Sequence, residues 1–102
     1  MDQDLSTFLI DTHCHIDYDD YNLDRDEMIL RASAQGVKYM INIGSTLKGS
    51  LNSVELSRKY PNVFAVVGCH PHDAASFTEE DMSRIKELAA CPKVLAIGEI
   101  GL

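Results

Sequence analysis

The stretch VFAVVG, which is Val63–Gly68, is a near-continuous apolar run that ends at a glycine. Uninterrupted apolar runs of this length are typical of strands that are buried on both faces of a parallel sheet. Similar runs span Phe8–Thr12, Val37–Ile43 and Val94–Gly98. The sequence therefore predicts four parallel strands.

The segments between these runs predict three helices. The expected boundary signals are, in chain order, the capping-box pair Asp24 and Glu27, then Gly36, Tyr60-Pro61, the cap Thr78–Asp81, and Cys91-Pro92. Apolar residues at helical spacing form the predicted buried sides, which are Met28, Ile29 and Ala32 in the first helix, Leu47, Leu51 and Val54 in the second, and Met82, Ile85, Leu88 and Ala89 in the third. The element order is therefore β-α-β-α-β-α-β.

This order predicts an α/β fold with parallel strands. Four parallel strands joined by right-handed crossovers make half of an eight-stranded barrel. The chain ends at Glu99–Leu102, directly after the fourth predicted strand. We therefore expect residues 1–102 to be the N-terminal half of one (β/α)8 TIM-barrel domain, truncated after strand four.

Composition narrows the class of protein. The chain has 102 residues, 45% of them apolar, and a net charge of −7. This balance argues against a protein that holds nucleic acid by positive charge alone. No stretch approaches the roughly 20 apolar residues of a membrane span. We therefore expect no membrane association. Three cysteines without C-x-x-C spacing fit a reducing, cytoplasmic setting.

Two histidines stand one residue apart in Asp11-Thr12-His13-Cys14-His15, at the end of the first predicted strand. Alternate side chains of a strand share a face, so His13 and His15 lie together. Paired imidazoles at the carboxyl end of a strand are good ligands for a divalent ion. The alternative is two polar side chains that make ordinary hydrogen bonds.

Two further polar groups follow predicted strands. His70 and His72 come after Gly68, and Glu99 lies between glycines after the fourth strand. The histidines could instead face solvent in a loop, and Glu99 could pair with an Arg or Lys. Because a carboxylate at a buried strand end needs a partner, a metal ion near the histidine pair is the preferred interpretation.

Three segments together resemble the signature segments of the TatD family of metal-dependent hydrolases and nucleases. They are IDTHCHID (10–17), VGCHPH (67–72) and AIGEIGL (96–102). The order and spacing match, and the resemblance extends from about residue 8 to the last residue. It implies a complete barrel, of which this chain holds the first part.

The resemblance also implies roles for individual residues. His13, His15 and Glu99 would be metal ligands for two divalent ions (Mg, Mn or Zn), with Glu99 bridging the pair. Glu99 and His70 would be catalytic, and His70 and His72 would contact the substrate. The remaining ligands, two histidines and an aspartate, would come from later strands. Asp11 and Asp17 are interpreted as structural or supporting residues.

The implied activity is that of a deoxyribonuclease that cleaves DNA phosphodiesters with a hydroxide activated by two metals, as a 3′–5′ exonuclease on single strands. Two alternatives stay open. One is another amidohydrolase-type metallohydrolase that acts on a lactone, an amide or a phosphomonoester. The other is an inactive fragment that serves only as a folded or oligomerising piece. Whichever activity is correct, we expect residues 1–102 to be stable only when paired with a second copy or with the C-terminal half of the barrel.

Overall fold

A computed structural model of the protein describes residues 7–98. Within these residues there are four strands, three α-helices and two short 3-10 helices. In chain order they are β1 (Leu9–Cys14), a 3-10 helix (Asp19–Tyr21), α1 (Arg25–Ala34), β2 (Val37–Ile43), α2 (Leu47–Lys59), β3 (Val63–Val67), a second 3-10 helix (Pro71–Ser76), α3 (Glu79–Ala89) and β4 (Val94–Ile97). In the described part of the chain, no helix is long and apolar enough to cross a membrane.

The four strands form one parallel sheet in the order β1-β2-β3-β4. Each strand therefore pairs with the next strand in sequence, and each crossover between them contains a helix. This sequential order is that of a barrel wall, whereas a doubly wound sheet reverses its order at a switch point. The predicted α/β architecture, the N-terminal half of a (β/α)8 barrel, is confirmed.

The core lies between the sheet and the helices, in two clusters. The first packs α1 and α2 on β2 and β3 through Ile16, Ile29, Met40, Leu56 and Val63. The second packs α2 and α3 on β3 through Val54, Ala65, Val67 and Ile85. Strand β3 contributes to both clusters, so it is the most buried strand, as its apolar run predicts.

The prediction of burial on both faces is wrong for the outer strands. Leu9 of β1 is 64% exposed, and Leu95 and Ile97 of β4 are 55% and 56% exposed. Strands β1 and β4 are the outermost strands of the described sheet, so each pairs with a neighbouring strand on one side only. Their side chains therefore have fewer packing partners than those of β3, and this is why apolar residues of the outer strands stay exposed.

The helix boundaries agree with the sequence signals with one exception. Gly36 follows α1 with φ +98°, a conformation that glycine adopts without steric cost. Thr78 and Asp81 form the predicted reciprocal capping box of α3. The box predicted for α1 is absent, because the Asp24 side chain makes no capping hydrogen bond. The neighbouring Arg25 instead donates from Nε to the Ile16 carbonyl over 2.6 Å.

Helix α2 buries Val54 and packs Leu47 against the second core cluster, as predicted, but it turns Leu51 outward. Ser50, Ser53 and Ser57 are buried, whereas Leu51 is 36% exposed. Small side chains let the helix approach the sheet closely, since a Cβ on Gly44 would lie 2.5 Å from the Ser50 Cα. The Ser50 hydroxyl accepts from the Gly68 amide over 3.1 Å and lies 3.3 Å from its carbonyl oxygen. Serine therefore joins α2 to the end of β3.

Candidate metal centre

The two histidines of β1 lie side by side at the carboxyl edge of the sheet. Their ring centroids are 5.1 Å apart with an edge-to-face angle of 80°. Metal–nitrogen bonds are about 2.0–2.1 Å long, so rings at this spacing can share one ion. His13 and His15 therefore occupy one face of the strand end, as the strand alternation predicts.

The end of β1 departs from regular pairing with β2. Asp11 pairs with Met40 and Cys14 with Asn42, so three steps along β1 match two along β2. The Asp11 carboxylate accepts from the His13 backbone N–H over 3.1 Å within this irregular segment. A bulge of this kind redirects side chains at a strand end. Here it lies where the chain reaches the two histidines.

His15 is held in one tautomer by β2. Its Nδ1 lies 3.1 Å from the carbonyl oxygen of Ile43, and because a carbonyl only accepts, Nδ1 carries the proton. In the neutral ring Nε2 then keeps its lone pair, which is the arrangement that metal-binding histidines use. The ring also stacks on Tyr18, with centroids 4.9 Å apart and planes within 15°.

Cys14, between the two histidines, points to the opposite face and packs against the first core cluster. Burial, and then the negative charge of Asp11, raise the pKa of its thiol to about 12. The Sγ lies 3.3 Å from the Ile41 carbonyl oxygen, to which the thiol donates. A raised pKa keeps the thiol protonated, whereas the thiolate is the form that binds metal. The surroundings of Cys14 therefore suit a structural role.

Sequence reasoning missed Asn42, which is fully buried on the helix-facing side of β2. Its Oδ1 accepts from the Ile16 backbone N–H over 2.6 Å. Its Nδ2 donates to Asp17 Oδ1 over 3.0 Å and to Ser53 Oγ over 2.7 Å. The available signal was a lone amide inside the apolar run of β2, two residues before Gly44.

The second histidine pair follows β3. The backbone N–H of His70 donates to the Ser45 carbonyl over 2.8 Å, which joins this loop to the end of β2. The two rings are 4.8 Å apart, and His72 is exposed whereas His70 is half-buried. Gly68 precedes them, where a Cβ would lie 2.3 Å from the Gly98 carbonyl oxygen. The backbones at the ends of β3 and β4 therefore approach closely at this glycine.

Glu99, the predicted bridging ligand, lies outside the described residues. Among residues 7–98 no group of three or more His, Cys, Asp or Glu side chains could hold a metal ion. The loops after β1 and β3 emerge at the same edge but are separated by β2, which puts them about 10 Å apart at usual strand spacing. Within the described residues, His13 and His15 therefore do not make a complete metal site.

Comparison with known proteins gives one family. The sequence profile of the family described as TatD related DNase matches residues 10–102. A Bacillus subtilis protein named as the uncharacterized metal-dependent hydrolase YabD is 42% identical over 94 residues. A Cronobacter turicensis protein named 3′-5′ ssDNA/RNA exonuclease TatD is 39% identical over 94 residues.

The matches cover most of this chain and about a third of each relative. They include 92% of this chain, but 37% of the Bacillus protein and 36% of the Cronobacter protein. The crystal structure of YjjV, a TatD homologue from Escherichia coli K12, superposes with a TM-score of 0.82 at 28% identity. That superposition covers 92% of this chain and 37% of the Escherichia protein.

Proposed function

Because the chain belongs to the TatD-related DNase family of metal-dependent hydrolases, we propose that it supplies the first half of a deoxyribonuclease active site. The substrate is single-stranded DNA, cleaved at phosphodiester bonds from the 3′ end. Support comes from the Cronobacter relative named as an exonuclease. It is 39% identical to this chain, close to the 42% of the Bacillus relative named as a hydrolase. Residues 1–102 are then the N-terminal part of one barrel domain, and later strands complete the site.

Two divalent ions (Mg, Mn or Zn) are the proposed cofactors, with His13, His15 and Glu99 among their ligands. The observation that carries this proposal is the bond between His15 and Ile43. It fixes the Nδ1–H tautomer and leaves Nε2 available, so the residues present fit a metal. When bound, such ions stabilise charge on phosphoryl oxygens and lower the pKa of water.

His70 has the opposite tautomer from His15. Its Nδ1 accepts from the His72 backbone N–H over 3.0 Å, so in the neutral ring the proton resides on Nε2. We assign this Nε2–H as a donor to a phosphate oxygen of DNA, which makes His70 a catalytic, substrate-contacting group. The exposed His72 contacts the substrate beside it. Glu99 is the second catalytic group, since it would position both ions.

The acidic net charge of −7 gives no general attraction for DNA, so affinity for phosphate has to be local. Bound cations and the His70 donor would supply it.

Cys14, Cys69 and Cys91 are all free, which a reducing compartment maintains. We therefore propose a cytoplasmic location.

The test combines metal analysis with competing substrates. Glu99→Gln should lower the content of both ions in the intact protein, whereas Glu80→Gln, a matched change at an exposed carboxylate on α3, should not. His13→Ala should lose most activity on single-stranded DNA in Mg²⁺ or Mn²⁺. Unchanged metal content in Glu99→Gln would disprove the bridging role. Turnover of a lactone or p-nitrophenyl phosphate with DNA left intact would replace the nuclease assignment.

A further inference from the structure

We propose that Asn42 is a positioning residue for the metal centre, which holds the backbone beside His15 so that its ring keeps one tautomer and one orientation. This inference rests on the proposed metal-binding function of His15. Asn42 itself touches neither histidine ring in the contacts described above. It acts through the peptide that directly follows His15.

The hydrogen bonds define the amide orientation of Asn42. The Ile16 backbone N–H can only donate, so the atom 2.6 Å from it is the oxygen Oδ1. The Ser53 hydroxyl donates to the Gly49 carbonyl over 2.8 Å, so it accepts from Nδ2. The second Nδ2 hydrogen bonds the Asp17 carboxylate. Every donor and acceptor in this set has a complementary partner.

Strand β2 therefore holds His15 from two sides. The Ile43 carbonyl bonds the imidazole ring, and the Asn42 side chain bonds the next two residues, Ile16 and Asp17. These bonds replace regular strand pairing where β1 ends and its register slips. Without the amide, the segment after His15 would lose its fixed distance from β2, and the ring would lose its fixed distance from the Ile43 carbonyl.

The burial of Asn42 argues that these bonds are the reason for an amide at this position. Met40, two residues earlier on the same side of β2, is apolar and packs in the first core cluster. A buried amide is costly unless all of its hydrogen bonds are made. No buried side-chain nitrogen or oxygen lacks a partner in the described part of the chain. Leucine has the same branching and the same number of side-chain heavy atoms as asparagine but would leave the Ile16 N–H unpaired.

The chain offers a matched pair of variants on α2. Ser53 and Ser57 are 0% and 1% exposed, and each hydroxyl donates to a carbonyl of its own helix. Only Ser53 also accepts from Asn42. Ser53→Ala therefore perturbs the Asn42 set, whereas Ser57→Ala makes the same chemical change at an equally buried position outside it.

The experiment measures Mn²⁺ affinity of the intact protein by electron paramagnetic resonance titration. Asn42→Leu should weaken Mn²⁺ binding by about 10–100-fold, and Ser53→Ala by up to about 10-fold, as for other residues that support metal ligands. Ser57→Ala should bind as the wild type does. Should Asn42→Leu fail to fold, the comparison of Ser53→Ala with Ser57→Ala decides. Equal affinities for those two serine variants would overturn the proposal.

A second readout needs no metal. In metal-free protein, long-range ¹H–¹⁵N NMR should show the Nδ1–H tautomer of His15 in the wild type and in Ser57→Ala, and a tautomer mixture in the Asn42 variant or Ser53→Ala. A wild type that binds no Mn²⁺ but shows this tautomer pattern would refute the proposed function and leave the positioning role standing. An unchanged His15 spectrum in every folded variant would refute the positioning role.

Discussion

The ring of His70 accepts a hydrogen bond at Nδ1 from the backbone N–H of His72, over 3.0 Å. His70 therefore has one structural task and one proposed catalytic task. Its Nδ1 caps the short 3-10 helix Pro71–Ser76, and its Nε2–H is the group proposed above to donate to a phosphate oxygen. His15 has the reverse arrangement, because its Nδ1–H donates to the carbonyl of Ile43. Backbone groups thus set opposite tautomers at the ends of β1 and β3.

The two tasks of His70 can be separated by substitution. Asparagine can replace the Nδ1 acceptor, and glutamine can replace the Nε2–H donor. We expect His70→Asn to keep the melting temperature but to lose about 100-fold in kcat on single-stranded DNA, as for loss of one preorganised donor. His70→Gln should retain more activity and lose about 1 kcal/mol of unfolding free energy with the cap. A fully active His70→Asn variant would eliminate the donor role.

The thiol of Cys14 should titrate only at very high pH. Its pKa of about 12 in the fold, against the ordinary 9.0, means that the stabilising neutral form is fully present below pH 9. That contribution is lost as the pH rises from 9 toward 12. At pH 9 we expect iodoacetamide to modify Cys14 much more slowly in folded protein than in urea, as measured by peptide mass spectrometry. Equal rates in the two states would contradict the burial argument.

Lys93 stabilises the end of α2. Its ammonium group donates to the carbonyls of Ser57, Tyr60 and Pro61 over 2.6, 2.9 and 3.3 Å. Burial lowers the pKa of Lys93, but these three acceptors and the helix C-terminus favour the charged form. Lys93→Met should reduce the unfolding free energy by about 1–3 kcal/mol, because the carbonyls of Ser57 and Pro61 lose this donor and that of Tyr60 keeps only the Val63 backbone N–H. Urea denaturation measures this value.

Lys86→Met is the control for this measurement. Lys86 is exposed on α3, so its replacement should change the unfolding free energy by less than about 0.5 kcal/mol. If the two lysine variants had the same stability, the bonds from Lys93 would contribute nothing net.

Residues 1–102 in isolation should be stable only when paired. The outer strands carry Leu9, Leu95 and Ile97, each more than half exposed, and β1 and β4 have unpaired edges within the described sheet. Leaving about 200–300 Å² of apolar surface uncovered per strand costs about 5–8 kcal/mol, as an upper bound. Sedimentation at micromolar concentration should therefore find a self-associated species or a complex with the C-terminal half. A well-folded monomer with a cooperative melt would disprove this.

Local sequence patterns predicted much of the fold and part of the site. The apolar run of β3, the capping box at Thr78 and the glycine after α1 depend on neighbours in sequence, so their signals can be read directly. The pairing of His13 with His15 is local in the same sense, because alternation along a strand puts the two on one face. The family resemblance added roles for His70, His72 and Glu99, which remain predictions.

The features that the sequence did not predict depend on which elements face each other. Leu51 has the spacing of a buried residue, yet the close approach of Ser50 to Gly44 brings the serine side of α2 against the sheet. Asn42 looked like an interruption in an apolar strand until Ile16, Asp17 and Ser53 were placed around it.

By itself, then, the sequence determined the order of strands and helices and the face that the histidine pair shares, because both follow from backbone periodicity. Only the tertiary structure decided which ring nitrogen carries the proton in the neutral forms of His15 and His70. That choice belongs to the Ile43 carbonyl for His15 and to the His72 amide for His70. A tautomer is selected by the hydrogen-bond partner of the ring, and that partner is defined only when the chain has folded.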